Sequence, residues 1–186
     1  MADVVLFHSI LGLRPAERQI AAEFEKHGHR VILPDLFGGR FADDYDAGFA
    51  LRKEFTSETL TQRALAAVEG VPETAVFAGV SFGASMIDLF WEIRPKMAGV
   101  LLFAGTVNWM EPLRRGLRVS AHIARPDPFD DEGYFADWAA QAGDVKLDLH
   151  RYDGVGHYFL DPELADYGAA AAQLCLQRTL AFLNAL

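Results

Sequence analysis

Short apolar runs alternate along this chain with segments in which apolar residues recur at every third or fourth position. Residues 4–8, VVLFH, predict a buried strand. PAERQIAAEFEKHG has helical spacing, with Pro15 in its first turn and Gly28 at its stop. HRVILPDLFGG reads as a second strand running into a Pro- and Gly-rich loop, and LRKEFTSETLTQRALAAVEG as one helix. The strand TAVFAGV comes next, then a helix beginning near Phe82. Residues 98–105 are a near-continuous apolar run, residues 118–124 a further strand, DDEGYFADWAAQAG a helix, and residues 145–153 an alternating edge strand. An alanine-rich helix closes the chain. Strands alternating with helices, several apolar on both faces, predict an α/β fold: a mostly parallel sheet with helices on both faces. Ligands of such sheets bind beyond the carboxyl ends of the strands. The polar residues of this sequence collect there.

Composition narrows the partners. The chain has 186 residues, 51% of them hydrophobic and 23% charged, with no repeat or linker to divide it, so one domain over 1–186 is expected. A net charge of −9 argues against a nucleic-acid partner, which needs clustered Lys and Arg. Cys175 is the only cysteine, which excludes an intrachain disulfide and a cysteine-based zinc site; its helical setting predicts a buried small apolar residue. No stretch approaches the roughly 20 apolar residues of a membrane span, and MADVVLFHSI lacks the basic region of a signal peptide. The expectation is a soluble cytoplasmic protein that acts on a small molecule, without membrane, metal or cofactor.

The candidate chemistry sits at VFAGVSFGASM, where Gly79-x-Ser81-x-Gly83 lies between a predicted strand and a predicted helix. Alone the motif is weak. In that setting it matches a nucleophile elbow, in which small neighbours let a serine turn out of the strand. A serine hydroxyl needs a base. His157, in a Gly-containing loop after the 145–153 strand, is the candidate; His8, at the end of the first strand, is the competitor at the same end of the sheet. The base needs an acid to fix its tautomer. Asp127 is the first carboxylate after the 118–124 strand, with Asp130 as the alternative and Asp131 placed to begin the next helix. The order Ser81, Asp127, His157 is that of the alpha/beta-hydrolases. Backbone N–H groups of Phe82 and Ile10 are the expected oxyanion donors, and Leu11, Phe37, Trp109, Phe129 and Tyr158 the expected pocket walls.

The sequence also resembles the dienelactone hydrolase family of small, lid-poor alpha/beta-hydrolases along almost its whole length. The resemblance is carried by VVLFHSILGLRP and FEKHGHRVILPDLFGG at the start, then GVSFGA, RPDPFDD, YDGVGHYFLD and LQRTLAFLNAL in the family's order. It implies hydrolysis of an ester or lactone at Ser81, His157 and Asp127. Three positions depart from the family's pattern. Ser81 replaces its cysteine, with Ala84 after Gly83; Ser9 stands where it has a glutamate; and Asp161 stands where an arginine would hold the substrate carboxylate. An aspartate there is expected to repel an anionic substrate. The reading is therefore a serine hydrolase of small esters, lactones or thioesters. A non-catalytic binding module on the same fold, or an acyltransferase, is the alternative.

Overall fold

A computed structural model describes residues 1–110 and 115–186. Its sheet has six strands, all parallel, in the order β2-β1-β3-β4-β5-β6: β1 Asp3–Phe7, β2 Arg30–Ile32, β3 Val76–Val80, β4 Gly99–Phe103, β5 Arg118–Arg125 and β6 Lys146–Asp153. Six helices accompany it among the described residues: α1 Pro15–Lys26, α2 Tyr45–Lys53, α3 Ser57–Ala67, α4 Phe82–Ser85, α5 Glu132–Ala140 and α6 Ala169–Asn184.

The inner strands β1, β3 and β4 are apolar on both faces because both faces are covered. Val5, Phe7, Phe77, Val100 and Leu102 point to one side, where α3 brings Leu60 and Ala64 and α5 brings Trp138. Their neighbours Val4, Leu6, Val76, Ala78, Leu101 and Phe103 point to the other, against Ile20 and Phe24 of α1 and Cys175 and Phe182 of α6. Period-two alternation thus divides one set of residues between two cores. No helix among the described residues is long and apolar enough to cross a membrane.

Two predicted helices are corrected. Residues 51–70 are not one helix: α2 ends at Lys53 and α3 starts at Ser57. Thr56 makes the break, since its Oγ1 accepts the Thr59 N–H at 3.1 Å and caps α3. The helix expected from Phe82 lasts four residues as α4 and continues as a 3-10 turn over Met86–Phe90. The chain cannot stay helical far beyond that, because Arg94 precedes Pro95.

Candidate active site

The carboxyl ends of the strands deliver the site. β3 stops at Val80, and Ser81 follows with φ 49°, in the left-handed region that non-glycine residues seldom enter. Such a conformation costs roughly 1–3 kcal/mol, and packing must hold it. A Cβ on Gly79 would fall on the Gly83 carbonyl, and one on Gly83 on the Phe7 carbonyl oxygen. The Ser81 N–H donates to Phe103 O at 2.8 Å, tying the turn to the end of β4.

His157 lies in the segment after β6. Its Nε2 is 2.9 Å from Ser81 Oγ, and its Nδ1 is 2.7 Å from Asp127 Oδ2. Asp127 follows β5, and its other oxygen accepts the Phe129 N–H at 2.9 Å. Burial alone would raise the Asp127 carboxyl. The bond to His157 and its charge outweigh this, with help from the Phe129 and Asp130 N–H groups, and hold it below its usual range. With Nδ1–H donating to this carboxylate, Nε2 is free to accept the hydroxyl proton. The line can generate a serine alkoxide and stabilise the imidazolium left behind.

Asp130 does not take that place, because Asp127 already occupies Nδ1. It faces the cavity instead, and its carboxyl is pushed up by burial first and by the Asp127 carboxylate second. Asp131 caps α5, accepting the Tyr134 N–H at 2.8 Å. His8 is buried and both nitrogens of its ring are bonded elsewhere. Its Nδ1 lies 2.7 Å from Ser9 O and its Nε2 accepts the Leu36 N–H at 3.0 Å, so it fastens the loop after β1 to the loop after β2. Burial pushes its pKa down to about 4.

Ser81 and His157 open on a cavity of about 260 Å³. Ile10 and Phe82 line it beside Ser81; the Phe82 N–H is the first of α4 and has no partner within the helix. Glu17, which the sequence reading passed over, steadies the Ile10 loop. Its carboxylate accepts the Ser9 N–H at 3.2 Å and the Arg14 N–H at 3.0 Å, clasping both ends. Its place three residues after Arg14, at the start of α1, was the available signal.

Of the five expected wall residues only Phe129 lines the cavity. Leu11, Phe37 and Tyr158 are fully buried core residues, and Phe37 stacks on Phe55 at 5.1 Å. Trp109 stacks on Trp138 at 4.9 Å in a separate cleft. The walls are instead Tyr45 and Phe49 from α2, and Ala104, Gly105 and Thr106 from the loop after β4. Asp161 is also not at the cavity: it is buried, accepting Arg14 Nε at 2.7 Å and the Glu163 N–H at 2.9 Å. It therefore presents no charge to a substrate.

The dienelactone hydrolase family model matches residues 1–186. No curated protein matches the chain. A dienelactone hydrolase-like promiscuous phosphotriesterase from metagenomic libraries superposes with a TM-score of 0.79 at 16% identity, covering 100% of this chain and 87% of that one. A dienelactone hydrolase described from Klebsiella pneumoniae gives 0.75 at 14% identity, over 97% and 85% of the two chains. An alpha/beta-superfamily hydrolase from Xanthomonas campestris gives 0.64 at 20% identity, over 100% of both. These three likenesses concern the alpha/beta-hydrolase fold; the match over the full length is what assigns the chain, which belongs to the dienelactone hydrolase family and is an esterase-like hydrolase.

Proposed function

We propose that the protein is a serine hydrolase that cleaves small ester, lactone or thioester bonds through an acyl-enzyme. The observation that carries this reading is the continuous line Asp127–His157–Ser81, with bonds of 2.7 and 2.9 Å, ending in a cavity. Ser81 Oγ attacks the carbonyl carbon while His157 Nε2 takes its proton. Asp127 holds the ring and stabilises the imidazolium. The Phe82 and Ile10 N–H groups donate to the oxyanion. His157 then protonates the leaving alcohol or thiol, and a water deprotonated by the same nitrogen attacks the acyl group, releasing the acid and restoring Ser81. Side chains and backbone of residues 1–186, taken as one catalytic domain, perform every step. At about 260 Å³ the cavity falls just below the roughly 300–1,000 Å³ of drug-sized ligand sites, which favours short acyl and alcohol parts.

A fluorophosphonate probe read by intact mass tests the mechanism. One adduct per chain is expected on the wild type, and none on Ser81→Ala, which should also cease to hydrolyse 4-nitrophenyl acetate. Turnover by Ser81→Ala within a few fold of wild type removes Ser81 from the mechanism.

A further inference from the structure

One wall of the cavity is built from aromatic rings and one carboxylate, with the Phe129 ring 4.6 Å and the Tyr45 ring 6.1 Å from the His157 ring. Tyr45 and Phe49 stand four residues apart on α2, hence on one helix face. Phe129 meets Tyr45 at 5.3 Å and 78°, and Phe49 at 6.3 Å and 64°. Rings so steeply inclined enclose a corner rather than forming a stack. The Tyr45 hydroxyl donates to Asp166 Oδ2 at 2.5 Å, which makes that ring richer in π density. Beside the rings lies Asp130, and among the described lining residues there is no lysine or arginine. The chain as a whole carries a net charge of −9.

Each feature favours one kind of group. Ring faces attract a cation, most strongly one that is weakly hydrated, such as an alkylammonium. A carboxylate in a half-enclosed site with no lysine or arginine on its wall gains most from a cation that enters with the ligand. A negative molecule concentrates cations at its clefts. We propose that the preferred substrate carries a small alkylammonium group, which docks against Tyr45, Phe49 and Phe129 with Asp130 as its counter-charge. This inference rests on the acyl-enzyme reading of the same site.

The test uses esters matched in shape and differing in charge. Choline propionate is compared with 3,3-dimethylbutyl propionate, and ethyl 4-(trimethylammonio)butyrate with ethyl 5,5-dimethylhexanoate, so that the charge lies on the alcohol side in one pair and the acyl side in the other. In at least one pair the cationic ester should have the higher kcat/KM, by roughly three- to thirtyfold. Asp130→Asn should bring that ratio down towards one. A ratio below about threefold in both pairs overturns the inference. So does a ratio unchanged in Asp130→Asn, since a carboxylate that only supports His157 would affect both members alike. Binding of choline against 3,3-dimethylbutanol, followed by ligand-observed NMR, is read whether or not any ester is cleaved. Equal binding overturns the inference. Cation-selective binding without cleavage of any ester upholds the alkylammonium site and sinks the acyl-enzyme reading instead.

Discussion

Ser81 is held at φ 49° by neighbours that leave no room for side chains, and the Asp127 carboxylate is held ionised by the ring it supports. Asp127 and Asp130, both following β5, thus have different surroundings. For an uncharged ester, Asp127→Asn should lower kcat by up to roughly 10⁴-fold, because an amide favours the wrong imidazole tautomer. Asp130→Asn should cost far less. Steady-state kinetics on the two variants decide the matter, and the opposite ranking would make Asp130 the acid. His8 carries a pH prediction. Its folded pKa of about 4 lies below the roughly 6.5 of a free histidine, so the native state binds fewer protons than the unfolded chain between those values. Stability that is full above the unfolded value should be lost as pH falls towards the folded one, with no further loss from this group below it. Urea midpoints across that window should show a shallower slope in His8→Gln. An identical slope would remove His8 from the account.

Among the elements, what was legible in the sequence is what depends on the chain's own periodicity. The inner strands show as apolar runs because both their faces are buried and β6 as an alternating edge, and Ser81, Asp127 and His157 could be singled out because each follows a strand at the same end of the sheet. The helices between β2 and β3 were harder. Leu51 with Phe55 and Leu60 with Ala64 each have helical spacing, but on one continuous helix Leu60 would lie opposite Leu51; that phase shift and the Thr56 cap mark the break, and the expectation of one helix overlooks both. That error hid α2, and with it Tyr45 and Phe49. The expected aromatic walls failed for a different reason. Whether a loop ring such as Phe37 or Trp109 faces a cavity depends on which ring it meets in space, here Phe55 and Trp138, and no local pattern encodes that. The cap itself is testable: Thr56→Ala should destabilise the fold by about 1 kcal/mol, read as a lower urea midpoint. An unchanged midpoint would mean that the α2–α3 break is fixed by packing rather than by its hydroxyl.

At the scale of the molecule, the charge of −9 acts on every approaching ligand. Added salt should raise kcat/KM for an anionic ester and lower it for a cationic one, since screening weakens repulsion and attraction alike. Rates for both that ignore ionic strength would confine the electrostatics to the cavity. The Arg14–Asp161 pair bears on how such a molecule could be re-engineered. Both side chains are buried, and they join the loop beside Ile10 to the segment following His157. Placing an arginine at position 161, where the resemblance would have one, looks, on paper, like the shortest route to an enzyme for carboxylate-bearing lactones. In this protein Asp161→Arg would drive a second guanidinium against Arg14 and abolish a buried brace; even Asp161→Ala should destabilise, though by less than the about 3–5 kcal/mol of a fully orphaned buried charge, because Glu163 and the Ala42 carbonyl still hold Arg14. A charge filter for such substrates has to be grafted elsewhere, onto the accessible wall at Phe49, Thr106 or Asp130. The position at which the resemblance would set a substrate-holding arginine is, in this chain, part of the foundation.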